Sequence, residues 1–200
     1  MKQSNIKIAV TGGIGSGKST VCGIIENSGF PVYSCDAIYA ELLKGKELPA
    51  KIAEVFGFEV LDSDGALNRR ALSEIVFANK EHLKTLDGIT HPAIFNEMFK
   101  RSKGSSGIIF FEVPLLFEGG YQDLFDGVIV VLRNRDGRVE SVIKRDGLSE
   151  SEINNRINKQ FNYDFENFAQ YYVIHNDGNL NDLSDETLKI LSEITQKYNG

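Results

Sequence analysis

The sequence predicts an α/β fold, a three-layer arrangement with a five-stranded parallel sheet, and three observations carry that prediction. Five short apolar runs, at residues 6–10, 31–34, 108–113, 127–132 and 171–175, are separated by segments of helical character, the pattern of strands buried on both faces of a parallel sheet. A glycine-rich loop joins the first run to the first helical segment. The alternation stops between residues 44 and 106, where the chain turns mostly helical and reads as an insertion between two strands. With 200 residues, 42% of them hydrophobic, the chain can bury one substantial core and a smaller appended lobe.

The loop after the first run is Gly12-Gly13-Ile14-Gly15-Ser16-Gly17-Lys18-Ser19, which fits GxxxxGK[ST] and leads into a helix over 20–27. With glycine at roughly 7% of average usage, the four fixed positions arise by chance on the order of once in a hundred such chains. Successive N–H groups of such a loop close around phosphate oxygens, and the following helix aims its positive end at them. Lys18 would reach the β- and γ-phosphates of a nucleotide, and the Ser19 hydroxyl would ligate Mg²⁺. A ligand-free turn would leave four glycines and a lysine unexplained, so the fold is expected to be of the P-loop NTPase type.

The second strand, 31–34, follows Gly29 and leads into a helix over 35–43 whose start is marked by Asp36. Ligands of open α/β sheets bind beyond the carboxyl ends of the strands, which puts Asp36 at the same end of the sheet as the P-loop. Spacing alone does not separate a helix-capping Asp36 from one that acts on a second substrate, and one carboxylate can do both. In the insertion, a helix over 66–77 follows Ser63-Asp64-Gly65, with Leu72, Ile75 and Val76 on one face. Another helix carries Leu83 and Leu86. His91-Pro92 interrupts the helical stretch, Pro92 taking a first helical position with Thr90 or His91 as cap, and Ile94, Phe95, Met98 and Phe99 continue with helical spacing.

Pro114 ends the third strand, because proline cannot donate to a sheet ladder. Glu112 stands near that strand's end, where a carboxylate would help hold Mg²⁺ through water; Glu118 reads equally as a solvated turn residue. After the fourth strand Arg133, Arg135, Arg138, Lys144 and Arg145 face only Asp136 and Glu140. Ser149-Glu150-Ser151-Glu152 is a capping box that opens a helix with Arg156 and Gln160 on one face. These basic residues follow a strand's carboxyl end, where they would fold over phosphates as a lid. The fifth strand ends in Asn176-Asp177-Gly178, and a helix over 180–198 closes the chain with Leu188, Leu191, Ile194 and Tyr198 in a stripe.

A net charge of −6 argues against non-specific binding to nucleic acid or an anionic membrane. The apolar runs are far short of a membrane span, and Cys22 and Cys35 form neither a CxxC pair nor a disulfide framework, so a soluble, cytoplasmic protein with reduced thiols is expected. Asp62-Ser63-Asp64-Gly65 matches the DxxG of a switch GTPase, but Asn158-Lys159-Gln160-Phe161 lacks the aspartate of NKxD. GxGxxG fails too, because Lys18 or Thr20 falls where its last glycine belongs. A small-molecule kinase fits better, since it needs a P-loop core, a substrate lobe and an arginine-bearing lid.

The P-loop, Asp36, Asp64-Gly65 with Arg69-Arg70, His91-Pro92, Pro114-Leu115-Leu116-Phe117-Glu118, Lys144-Arg145-Asp146, Arg156 with Gln160, and Asn176 with Gly178 come in an order and spacing that closely resembles the dephospho-coenzyme A kinase family over nearly the full chain. The resemblance implies ATP-dependent phosphorylation of the ribose 3′-hydroxyl of dephospho-CoA, the last step of coenzyme A synthesis. It implies a nucleotide-binding core at 1–35, 106–134 and 170–200, a helical CoA lobe at 36–105 and a lid region at 135–169. On this reading Asp36, Lys18 and Arg145 are catalytic, with Asp36 as general base. Gly12, Gly13, Ile14, Gly15, Ser16, Gly17, Lys18, Ser19 and Thr20 bind ATP with Arg145, Arg156, Asn176 and Gly178, and Ser19 binds Mg²⁺. Asp36, His91, Pro92, Leu116 and Glu118 belong to the acceptor side.

Two departures stand out. The family often has Asp-x-Asp after the second strand, here Ser34-Cys35-Asp36, and an arginine four residues before the position of Arg145, here Ser141. Positions 138, 141 and 145 lie along one helical face, so Arg138 is expected to supply the missing charge. The protein would be a monomer or small homo-oligomer. Rival readings are a kinase of another small molecule, such as a nucleoside monophosphate, and a non-catalytic nucleotide-gated binding protein.

Overall fold

The computed structural model describes residues 5–77, 79–164 and 166–199. Residues 1–4, 78, 165 and 200, which the expected core, lobe and lid segments include, lie outside these. In chain order the elements are β1 (Ile6–Thr11), α1 (Lys18–Asn27), β2 (Val32–Ser34), α2 (Cys35–Leu42), α3 (Glu47–Phe56), α4 (Arg69–Phe77), α5 (Lys80–Ser102), β3 (Ile108–Glu112), β4 (Gly127–Leu132), α6 (Arg135–Asp146), α7 (Glu150–Lys159), β5 (Tyr172–His175) and α8 (Leu180–Asn199). The chain divides into two units, Met1–Val32 with Ser105–Gly200, and Tyr33–Gly104.

The sheet has five strands in the order β2-β3-β1-β4-β5. β1 runs parallel to β3, with Val10 opposite Glu112, and parallel to β4, with Thr11 opposite Val130. β4 in turn pairs in parallel with β5, Leu132 opposite His175. The P-loop therefore leaves the central strand, flanked by the ends of β3 and β4.

In the first unit, Ile8, Val10, Phe110, Ile129, Val131 and Ile174 pack with Val21 and Ile25 of α1 and with Leu183 and Ile194 of α8. The intervening residues Ala9, Ile109, Phe111 and Val130 are buried as well, so both faces of these strands are covered, as their unbroken apolar runs imply. Burying each large side chain contributes about 1.5–3 kcal/mol. The resulting frame holds the loops at the strand ends.

In the second unit α5 packs against α2, α3 and α4. Its core joins Leu48, Ile52 and Phe56 of α3 to Val60, Leu72 and Val76. Two local expectations are corrected here. His91-Pro92 does not interrupt the helix, because α5 runs through Pro92 without a break. An internal proline costs a helix about 3 kcal/mol. Beyond it, however, Ile94, Phe95 and Met98 are buried, and their burial at about 1.5–3 kcal/mol each outweighs that cost. Thr90, expected as a cap, instead donates its hydroxyl to the Leu86 carbonyl at 2.9 Å.

The helix expected over 66–77 begins only at Arg69. Residues 61–67 turn back on themselves: Asp62 N donates to Ala66 O at 2.8 Å, and Leu61 bridges Leu67 in antiparallel fashion. Asn68 then caps α4 by accepting from Ala71 N at 3.1 Å. Asp-Gly is a hairpin signal, and it governs this segment more strongly than the downstream periodicity. Both cysteines are buried and neither is in a disulfide. No helix among the described residues is long and apolar enough to cross a membrane.

Candidate active site

The P-loop is shaped by backbone geometry that only glycine adopts without strain. Gly17 caps α1 with φ +97°, and a Cβ there would lie 2.2 Å from the Asn176 amide nitrogen. That amide donates to the Ser16 carbonyl at 2.8 Å, tying the loop to the end of β5. Lys18 Nζ donates back to the carbonyls of Gly12 at 2.7 Å and Gly13 at 3.2 Å. Ser19 Oγ donates to Glu112 Oε1 at 2.9 Å, a consequence of the β1–β3 register.

The α6–α7 hairpin grips the loop at Ile14. Ile14 N donates to Gln160 Oε1 at 2.8 Å, and Arg138 Nε donates to Ile14 O at 3.1 Å. The Ile14 side chain packs on the hairpin's own core of Val142, Ile153 and Ile157. The capping box at Ser149 and Glu152 forms as the sequence implies. Gln160 does not share a helical face with Arg156, because α7 ends at Lys159 and Gln160 is its extended C-cap. After it, Phe161, Tyr163, Phe168 and Tyr171 surround Phe117, with ring centroids 4.9–6.1 Å from it. Glu118 accepts from Phe161 N at 2.9 Å, which makes it an anchor of this segment rather than a free turn residue.

A cleft of about 260 Å³ opens beside the P-loop. It brings together Gly15, Gly17, Lys18, Ser19 and Thr20 of the loop and α1 with Arg145 and Asn176, all nominated from sequence, and adds Arg133 and Ser141. Arg145 is 61% exposed and makes a forked pair with Asp146, Nε–Oδ1 2.7 Å and Nη2–Oδ2 2.8 Å. This pair raises the arginine and holds the Asp146 carboxyl below its ordinary range. An exposed pair is worth about 0–1 kcal/mol, so Arg145 exchanges partners easily. Arg156 is exposed on α7 and outside the lining of this cleft, and Gly178 is exposed, with Asp182 Oδ2 2.4 Å from where a Cβ would stand.

Arg138 does not take the place expected for it. It is 2% exposed and lies under the P-loop, with Nη1 3.4 Å from Asp164 Oδ1. Burial lowers its affinity for its proton, and Asp164 opposes that shift. The residue that faces Ser141 is Arg133, whose Nη1 donates to the Ser141 hydroxyl. Spacing on a helix could not reveal this, because Arg133 precedes the helix.

In the second unit, Asp36 lies exposed in the first turn of α2. The N-cap is Ser34, which accepts from Ala37 N at 3.5 Å. The serine that replaces the first carboxylate of Asp-x-Asp thus takes the capping position. His91 Nε2 lies 3.7 Å from Asp87 Oδ1, and Pro92 is exposed on α5. A cleft of about 220 Å³ is lined by apolar residues, among them Leu43, Leu72, Val76 and Leu86, with Tyr39, Arg69 and Ser73 as its polar members. Leu116, in the first unit, is fully buried and presents no surface to a ligand.

A model of the dephospho-CoA kinase family matches residues 6–182. A protein of Fusobacterium nucleatum named dephospho-CoA kinase is 37% identical, covering 88% of this chain and 92% of its own. One from Thermus thermophilus is 35% identical, covering 98% and 95%. A crystal structure from Thermus thermophilus is similar at a TM-score of 0.83 and 33% identity, over 98% of this chain and 100% of that one. A dephospho-CoA kinase from Campylobacter jejuni gives 0.69 at 29% identity, over 96% and 98%.

Proposed function

The chain belongs to the dephospho-CoA kinase family, and from that premise we propose that it transfers the γ-phosphoryl group of ATP to the ribose 3′-hydroxyl of dephospho-CoA, giving CoA and ADP. The observation that carries this reading is the family match over residues 6–182. The cleft that gathers Lys18, Ser19 and Arg145 around the glycine loop supports it.

Phosphoryl transfer asks a protein mainly for alignment and charge stabilisation. The loop amides and Lys18 would hold the polyphosphate, Lys18 leaving the carbonyls of Gly12 and Gly13 for phosphate oxygens. Arg145 would move from Asp146 to the transferring group, with Arg156 as a second lid cation. The Ser19 hydroxyl and Glu112 carboxylate form an oxygen pair that fits Mg²⁺, a cation that keeps several of its waters and binds one or two carboxylates. Bound there, Mg²⁺ would neutralise charge on the phosphate oxygens. Asn176 and Gly178 would bound the adenine.

Asp36 would orient the 3′-hydroxyl and accept its proton. Its position one residue after a helix start already capped by Ser34 supports this role, because the helix does not need its carboxylate as a cap. The second unit would be the acceptor lobe, Tyr33–Gly104 being close to the segment expected for it. Its apolar cleft suits the pantetheine arm, and Arg69 suits a phosphate of CoA. His91 and Pro92 would shape that lobe without proton transfer. Glu118 and Leu116 would act as supports, one anchoring Phe161 and the other packing. The acidic balance and buried cysteines outside any disulfide support a soluble, cytoplasmic enzyme.

An assay coupled to ADP release, comparing dephospho-CoA with AMP, CMP and nucleosides, tests the reading. Turnover with dephospho-CoA, and CoA as product by mass, is the expected result. Faster turnover of a nucleoside monophosphate would overturn it, and ATP binding without product from any acceptor would favour a non-catalytic protein.

A further inference from the structure

The two-residue link between β4 and α6, Arg133 and Asn134, is held rigidly. Asn134 accepts from Gly137 N at 2.9 Å, capping α6, and its own backbone N–H and side-chain amide both donate to Asp177 Oδ1 at 2.8 Å. Arg133 is thereby fixed at the mouth of the P-loop cleft, half-buried. Its Nη1 donates to Ser141, one of the residues lining that cleft. Its Nε lies against Gly137, where a Cβ would come within 2.7 Å. This Nε is buried and has no hydrogen-bond partner among the described residues.

A buried donor without a partner is costly, and a cation with spare donors beside other cations is more so. Lys18, Arg133 and Arg145 all line the same cleft, while the carboxylates that touch its residues, Asp146 on Arg145 and Glu112 on Ser19, are outside its lining. Three cations converging on a glycine loop are an arrangement that a polyanion stabilises and that water alone does not. We propose that Arg133 is a further phosphate-contacting residue of the nucleotide site, oriented by Ser141 and given room by Gly137. It fills the electrostatic role left open at Ser141, the role that helical spacing assigns to Arg138. This assignment rests on the nucleotide reading of the cleft.

The test is calorimetric binding of ADP, with adenosine as a competitor that lacks phosphate, to the full chain and its variants. Arg133→Ala should weaken ADP by roughly tenfold to a hundredfold, the range of a charged hydrogen bond, and leave adenosine unchanged. Arg133→Lys should fall between, and the double variant Arg133→Ala with Ser141→Arg should recover ADP binding by supplying the guanidinium from α6. Gly137→Ala should weaken ADP by displacing Arg133 while keeping the thermal midpoint, since alanine suits a helix better than glycine. Unchanged ADP affinity in Arg133→Ala, or an equal loss for adenosine, would sink the assignment alone. Failure of the parent protein to bind ADP would remove the nucleotide reading and the assignment with it.

Discussion

Gln160 accepts a hydrogen bond from the backbone N–H of Ile14 at 2.8 Å, so the end of α7 holds the P-loop at its second variable position. Arg138 holds the carbonyl of the same residue, and together the two side chains determine where the loop amides point. Gln160→Leu leaves the N–H without its partner, at about 1–3 kcal/mol. The ATP KM should rise roughly fivefold or more on that scale, with the KM for the acceptor unchanged. Steady-state kinetics with each substrate varied in turn checks it, and an equal rise in both would contradict a local effect on the loop.

Arg138→Ala is expected to cost stability first. The guanidinium is 2% exposed and its partner Asp164 is 34% exposed, so the ion pair is partly screened and the hydrogen bond to Ile14 O carries much of the effect. A loss of about 1–3 kcal/mol should lower the thermal midpoint by several degrees. Lysine should not restore it, because one ammonium lacks the planar fork that serves two acceptors. Lost turnover with an unchanged midpoint would instead mark Arg138 as a direct contact of the nucleotide.

Alkaline pH should destabilise the fold. Burial raises the Cys22 thiol, with Glu112 and Glu26 adding to the shift, and burial raises the Tyr163 phenol against the opposing bond to Thr11. Both groups keep their protons in the native state after the unfolded chain has begun to release them, near 9.0 for the thiol and 10.0 for the phenol. The unfolding free energy is therefore unaffected below these values and falls as pH climbs past them, by about 1.4 kcal/mol per pH unit for each group. Cys22→Ala should delay the onset of the decline by about one unit in denaturant titrations between about pH 8 and about pH 10.5.

Asp36→Asn keeps the shape of the side chain and removes its basicity. A general base contributes roughly 10²- to 10⁴-fold, so kcat should fall within that range while ATP affinity holds. The helix should keep its melting behaviour, because Ser34 provides the cap. Near-normal turnover would remove Asp36 from the proton transfer.

What the chain reveals on reading depends on how local each constraint is. The P-loop is legible because Gly15 and Gly17 are needed for backbone reasons within a few residues, and the strands are legible as runs apolar on both faces. The strand order is not, since a 2-3-1-4-5 arrangement and several others bury the same runs equally well. Pro92 misleads for a related reason: the local rule says break, and the burial of Ile94, Phe95 and Met98 says continue. The cleft cations divide in the same way. Arg145 is recognisable from its motif, whereas the partnership of Arg133 with Ser141 depends on how the β4–α6 link is pinned to Asp177.

The cleft at Lys18, Arg133 and Arg145 has a meaning for ligand choice when set against a chain that carries a net charge of −6. At physiological ionic strength fields decay over about 8 Å, so a long polyanion extends past the reach of these cations onto the rest of an acidic chain. A nucleotide small enough to sit within that distance feels mainly the local positive field. On that basis a short polyphosphate is expected to bind more readily than a nucleic acid strand built of the same units.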